Sequence, residues 1–357
     1  MRLCEKCFTN IDLKAIIKSS GDIGDCDFSK EHKNVKTLEI DNKRTIEPIK
    51  DKLRQIIDIY TPDEGLPSDF PHEKKDLLQN SLEKRWSIFS IERDSIYRLL
   101  NQLFSKDDNF DQRLLKSLVG VESELELDDN KLIVFQNDWE EFVDSIKYHN
   151  RFHTKKINLD LLEVFLSYTK KTIKPGEFSL FRCRVENTRV LEVEDMYAPP
   201  MGKASPGRLN AEWISALYLG DNEMACIQEV RAGFHDKVHI GEFELKDEIK
   251  VVDLRKFEEN TIDPYGENLE EYYLNRDTLM KISAEIAKPT NNDDKGIHYL
   301  PLQYISDFIK SSTEGYQGIL YESVMNENAN NLLIFDPNLV ICKRVKTKQI
   351  KYIDYKI

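Results

Sequence analysis

The chain has 357 residues, 40% hydrophobic and 32% charged, with 51 Lys plus Arg against 64 Asp plus Glu and a formal charge of −13. That length predicts two or three globular domains with enough core to fold without disulfides or metals. The acidic balance argues against a phosphate-neutralising nucleic-acid surface, and no apolar run approaches the roughly 18 residues of a membrane helix, so neither nucleic acid nor membrane is an expected partner.

The first residues, Met1-Arg2-Leu3-Cys4-Glu5-Lys6-Cys7, lack the apolar core of a signal peptide, and a cytoplasmic location is expected. The six cysteines are then read as thiols or metal ligands rather than disulfides. Three of them lie within residues 1–40. Cys4-x2-Cys7 is a close-spaced ligand pair and Cys26 a third ligand. Ser29 stands where a second x2 pair would place its partner, but His32 follows and completes a Cys3His set for a structural zinc. The competing reading is a knuckle that has lost its metal and left free thiols.

From about Arg44 the spacing turns helical. Leu53, Ile56, Ile57 and Tyr60 share one helix face. Prolines and a glycine break the stretch Thr61 to Pro71. Helical spacing resumes from Leu77 to Leu103, at Trp139, Phe142, Val143 and Ile146, and from Leu159 to about Thr169. Strand signals in this block are few. After Lys174-Pro175-Gly176 the texture changes. Ser179–Val185 alternates, with Phe181, Cys183 and Val185 on one face and Arg182 and Arg184 on the other. Further strands are expected at His239–Leu245, Ile249–Asp253, Gln317–Ser323, Leu332–Phe335, Val340–Val345 and Gln349–Tyr355. Helices are expected near Glu223–Arg231, Leu269–Ala287 and Leu302–Ser312. The predicted division is a knuckle segment 1–40, a helical domain 41–172 and a mixed domain 173–357, an α+β chain overall.

The densest chemical signal lies between Phe181 and Arg231, with a late addition at Gly318–Ser323. Arginines grip phosphate oxygens through a planar fork. A glycine beside one admits a ligand close to the backbone. A tyrosine offers a flat face, and a glutamate can stabilise a developing cation. Such a set suits a dinucleotide whose glycosidic bond is being broken. On spacing alone the more ordinary reading is favoured: strand arginines in water, a core tyrosine and a helix-surface glutamate. No P-loop or Rossmann fingerprint is present: Tyr197 and Ala204 spoil the pattern around Gly202-Lys203. His235 and His239 lack a His-Glu-x-x-His context and are not read as metal ligands.

The segments Leu180-Phe181-Arg182, Gly207-Arg208-Leu209-Asn210, Leu217-Tyr218-Leu219, Glu229-Val230-Arg231 and Gly318-Ile319-Leu320-Tyr321-Glu322-Ser323 together resemble the RES domain. The resemblance covers about 176 to 345. The Cys-x2-Cys-Phe start and the helical block ending near Asn150-Arg151-Phe152 are similar to the HEPN-type region that precedes some RES domains. Arg151-Phe152-His153 has the wrong spacing for a HEPN ribonuclease, so RNase activity is not expected.

The resemblance implies a fold similar to ADP-ribosyltransferases and cleavage of the nicotinamide–ribose bond of NAD, by hydrolysis or by phosphorolysis with phosphate as co-substrate. It implies a toxin or defence effector held in check by an antitoxin or regulatory protein. Carried over by motif, Arg182 and Arg208 would hold the diphosphate. Tyr218 would pack on the nicotinamide end, Glu229 would stabilise the ribosyl cation, and Ser323 would bond the substrate near the reacting ribose. NAD enters as substrate, with structural zinc the other expected group, and a homo-oligomer is expected. The long segment between Arg184 and Arg208 would cap the cleft. The alternatives are an ADP-ribosyltransferase acting on a macromolecule and a non-catalytic interaction module.

Overall fold

A computed structural model describes residues 1–125, 128–257, 268–288, 296–323, 325–326 and 329–352. By compactness the chain divides into Met1–Leu132 with Glu259–Arg276, and Ile133–Glu258 with Asp277–Ile357. This division differs from the predicted boundaries at 40/41 and 172/173: the segment from Ile133 and the helix Leu159–Tyr168 go with the second unit.

The first unit holds the predicted helices. Lys43–Ile57 buries Ile46, Ile49, Leu53, Ile56 and Ile57, and Arg93–Phe104 buries Ile96, Leu99, Leu100, Leu103 and Phe104. Both sets follow the helical repeat, so burying one stripe satisfies each helix. The Trp86 indole nitrogen donates to the buried Tyr60 hydroxyl at 3.0 Å. This unit also carries strands that the sequence did not announce. Val35–Glu39 is the centre of an antiparallel sheet flanked by Arg2–Cys4 and Asp22–Gly24, and Thr61–Pro62 and Asp76–Leu77 flank Leu118–Gly120 in another. Strands of two to five residues are too short to show a period-two pattern. A helix that sequence spacing also missed, Ile11–Ser20, starts where the Asn10 side chain accepts from the Leu13 amide at 2.8 Å, an N-cap that satisfies an otherwise orphaned donor.

The second unit is built on one eight-stranded sheet. Its strands are β1 (Lys170–Ile173), β2 (Leu180–Val185), β3 (Leu217–Gly220), β4 (Lys237–Leu245), β5 (Ile249–Asp253), β6 (Gly318–Glu322), β7 (Asn330–Ile334) and β8 (Val340–Gln349). The order across the sheet is β8-β4-β2-β3-β7-β6-β5-β1, antiparallel except for the β5–β6 pair. Leu180, Leu217, Leu219, Phe243, Val251, Leu320, Leu332 and Ile334 form its main core. The strand expected at Gln349–Tyr355 is not separate: β8 runs unbroken to Gln349, and 353–355 lie outside the described residues.

His239 on β4 is fully buried. Its ring nitrogens face the Glu186 carbonyl at 3.1 Å and the Thr347 hydroxyl at 3.0 Å, the partners of a core histidine. The segment between β2 and β3 packs on the sheet. Met196 joins the main core, and the Tyr197 hydroxyl accepts from the Cys342 amide at 2.9 Å. Apolar Met196 and Tyr197 thus draw this part of the segment down beside Phe243. No helix among the described residues is long and apolar enough to cross a membrane.

Candidate active site and a cysteine–histidine cluster

Strands β2 and β3 are joined by a single residue pair, Phe181 with Gly220. Beyond it they part, and a cavity of about 210 Å³ opens, lined by Arg182, Tyr218, Glu229, Tyr321 and Asn331 among others. The short helix Glu223–Glu229 closes one side. It is started by the Asn222 side chain, which accepts from the Ala225 amide at 3.0 Å, and held down by Cys226, whose thiol donates to the Phe181 carbonyl. Cys183, Cys226, Val238 and Ile240 form the small core beneath it. The helix ends two residues earlier than predicted, because Arg231 adopts a left-handed backbone with φ of 50°. Glu229 is thus its last residue, at the cavity edge.

Glu229 Oε1 accepts two hydrogen bonds, from the Ser323 hydroxyl at 3.1 Å and from the Asn331 amide at 3.1 Å. No described residue bonds its Oε2. Ser323 is buried just past β6, and Asn331 is the second residue of β7. A further chain sets the start of β7. Asp253, almost wholly buried, takes a bidentate fork from Arg255 at 2.7 and 2.6 Å; Arg255 then donates to Asn330 Oδ1 at 2.9 Å, and Asn330 donates to Asp221 at 2.6 Å. Charge-assisted forks of this kind fix geometry well.

Arg182 lies on the cavity wall. Its Nη1 is buried and makes no hydrogen bond among the described residues. Burial, and then the neighbouring Arg184, pull its guanidinium down to about 10. A desolvated cation without a partner is costly, and an anion placed against it recovers that cost. Arg184 is already engaged, donating to the Tyr197 carbonyl at 3.0 Å.

Tyr218 ties the cavity to the loop that bears Arg208. Its hydroxyl accepts from the Leu209 amide at 3.1 Å and donates to Asn210 Oδ1 at 2.8 Å. Burial pushes the phenol up to about 12. From the other side the Gln303 amide donates to the carbonyls of Gly207 at 2.7 Å and Asn210 at 3.0 Å. A Cβ on Gly207 would fall 2.3 Å from Asn210 Oδ1 and 2.8 Å from the Tyr218 oxygen, so only glycine fits there. Arg208 itself donates to the Ile286 carbonyl in the last turn of a helix, where a cation is favoured. Gln303 also lines a second cavity of about 870 Å³ with Arg151, Trp213 and Asp307.

The structure therefore brings Arg182, Tyr218, Glu229 and, through Glu229, Ser323 to one cavity, while one guanidinium nitrogen of Arg208 is spent on a backbone carbonyl. Asn331 and Gln303 were not singled out from the sequence, and Asn210 entered only as the end of the Gly207–Asn210 motif. Asn331 had a signal: two adjacent asparagines open an otherwise apolar strand, where asparagine is disfavoured. Cys183 and Cys226, read as core or surface thiols, are both buried and pushed up to about 12 by desolvation, so neither is a ready nucleophile.

In the first unit Cys4, Cys7, Cys26 and His32 converge, one ligand atom from each lying within 4.8 Å of the others. Hydrogen bonding from Cys4 and then Cys7 holds the Cys26 thiol far down, while the same bonding to Cys26 pushes Cys7 up. The four residues could hold a metal.

Residues 179–354 match the family model described as the RES domain. No curated protein and no solved structure matches the chain.

Proposed function

From the membership of its C-terminal half in the RES-domain family, we propose that this chain cleaves the nicotinamide–ribose bond of NAD at the β2–β3 cavity. The family is associated with NAD-related toxin function, and depletion of cellular NAD is the action this reading assigns to the protein. One observation carries it: a carboxylate fixed through one oxygen by Ser323 and Asn331 stands on the same small cavity as a buried, unpartnered arginine. A cavity of about 210 Å³ suits one end of a dinucleotide rather than the whole, and we assign it the nicotinamide riboside end.

In this reading the diphosphate neutralises Arg182, and Tyr218 flanks the nicotinamide. The C1′–N bond breaks with its electron pair passing to the ring nitrogen. Nicotinamide leaves neutral, so no general acid is needed. The ribose becomes oxocarbenium-like, as in glycoside cleavage. Glu229 Oε2 stabilises that cation, a fixed charge aimed where charge develops. Water or phosphate then attacks C1′; with water, the proton it loses passes to Glu229 or to solvent. Ser323 positions Glu229 rather than the substrate, a different role from the one the family resemblance implies.

The test is incubation of purified protein with NAD, with and without phosphate, following nicotinamide release. ADP-ribose marks hydrolysis and ADP-ribose phosphate marks phosphorolysis. Nicotinamide release with label on a protein or nucleic acid would mark ADP-ribosyl transfer instead. An absence of nicotinamide release overturns the proposal.

A further inference from the structure

We propose that Cys4, Cys7, Cys26 and His32 bind one structural zinc ion that clamps the N-terminal sheet of the first unit. The NAD reading does not use this site, and the two stand or fall separately.

The geometry comes first. Tetrahedral zinc with bonds of about 2.3 Å to sulfur and about 2.0–2.1 Å to nitrogen separates its sulfur ligands by about 3.8 Å and sulfur from nitrogen by about 3.6 Å. Here Cys4 and Cys7 sulfurs are 3.6 Å apart and Cys7 and Cys26 sulfurs 3.3 Å apart. His32 Nδ1 lies 3.4 Å from the Cys4 sulfur and 3.8 Å from that of Cys7. These four of the six edges each lie within about 0.5 Å of a zinc tetrahedron's, and all four ligand atoms lie within 4.8 Å of one another. The three cysteines are free thiols.

The backbone around the sulfurs has the same character. The Phe28 amide bonds the Cys26 sulfur at 3.4 Å, two residues on. That amide lies against the sulfur it would support as a thiolate, the outer-shell bond that metal-bound thiolates use. Ser29 stands where a second x2 pair would place its ligand, its carbonyl accepts from the His32 amide at 3.3 Å, and His32 supplies the fourth ligand instead. The Cys26 amide donates to the His32 carbonyl at 3.0 Å, which closes that loop and aims the ring inward.

The site is closed. All three cysteines are buried, four protein ligands fill a tetrahedron, and no position remains for a reacting water, which marks a structural rather than a catalytic metal. What it would hold is clear from the chain path. Cys4 ends the strand Arg2–Cys4, Cys7 ends the next turn, and Cys26 to His32 is an irregular loop between two strands. That turn docks through the Ser90 amide on the Cys7 carbonyl at 2.9 Å, and Phe8 pairs with Phe89. The loop itself has almost no apolar anchor beyond Phe28. Buried thiols alone pack as small apolar groups; it is their convergence with the His32 ring that ligation explains.

Native mass spectrometry and metal analysis of the full-length protein test this. One zinc per chain is expected. Chelator should release it together with the appearance of three reactive thiols and a fall in melting temperature that added zinc reverses. Cobalt in its place should show tetrahedral d–d bands with thiolate charge transfer, which intensifies in His32→Cys and disappears in Cys26→Ala. If Cys26→Ala does not fold, the chelation arm on the unaltered protein still decides. Metal-free protein, a Cys7–Cys26 disulfide in the intact mass, or full zinc retention in Cys26→Ala would each overturn the proposal.

Discussion

The Ser323 hydroxyl donates to Glu229 Oε1 at 3.1 Å, and the two residues lie 94 positions apart in the chain. Asn331 donates to the same oxygen, so both bonds turn the carboxylate without neutralising its second oxygen. Glu229→Gln keeps the shape and removes the charge. NAD turnover is expected to fall at least tenfold, about 1.4 kcal/mol or more, while NAD binding changes less. Normal turnover in this variant would remove Glu229 from the mechanism.

Ser323→Ala should act through Glu229. Losing one of two orienting bonds to a partly exposed carboxylate is expected to lower kcat about three- to tenfold, about 0.7–1.4 kcal/mol, with little change in KM. The diagnostic is the double variant. In the Glu229→Gln background the added loss from Ser323→Ala should shrink, because the two act as one unit. Full additivity would return Ser323 to an independent role.

Much of this was legible in sequence, and the limits have physical causes. Strands β2, β5 and β6 and the helix Leu269–Ala287 announced themselves by alternation or by length. Strand β3 did not, since Leu217–Gly220 spans four residues and reads only as a motif. The membership of Arg182, Tyr218 and Glu229 in one cavity follows from the β2–β3 divergence, which depends on a sheet order that places chain-distant strands side by side. The Cys3His spacing was visible directly, because its ligands lie within 29 residues and fold locally. The Arg208 bond to the Ile286 carbonyl was invisible, being a long-range choice among many carbonyls.

Gly207→Ala places a methyl where Asn210 Oδ1 and the Tyr218 oxygen already sit. Neither is the end of a free side chain: Asn210 also donates to the Ser205, Ala211 and Ile214 carbonyls at 3.0–3.2 Å. Overpacking of this kind costs about 1–3 kcal/mol. In a domain of this size that lowers the melting temperature by about 2–4 °C per kcal/mol. Calorimetry and NAD turnover should fall together. A stable, fully active variant would mean that the loop yields freely.

Tyr218 gives a pH signature. Its phenol ionises at about 12 when folded, against about 10 when unfolded. Above the unfolded value the folded state binds more protons than the unfolded one, so stability falls as pH rises from about 10 to about 12. Below that window the phenol stays a neutral donor to Asn210. Denaturant midpoints across the window should therefore drop, and drop less in Tyr218→Phe. Equal slopes in both proteins would assign the alkaline loss elsewhere.

Arg182 offers a test in which stability and binding move in opposite directions. Its guanidinium is desolvated, its Nη1 has no hydrogen-bond partner among the described residues, and Arg184 nearby adds repulsion. Replacing such a cation by an apolar side chain of similar length removes a buried charge that nothing offsets, and is commonly neutral or stabilising. Arg182→Met is thus expected to melt at or above the parent temperature without NAD. Its NAD affinity should nevertheless fall at least tenfold, because the diphosphate loses its buried counter-charge. Arg208→Ala should differ in kind: it gives up the bond to the Ile286 carbonyl, so the melting temperature falls along with any loss of affinity. Arg184→Ala, whose guanidinium is held by the Tyr197 carbonyl, should change affinity least of the three. Melting curves and NAD isotherms for the three variants separate these roles. An Arg182→Met protein that is destabilised yet binds NAD normally would make Arg182 a packing residue and move the anion seat elsewhere.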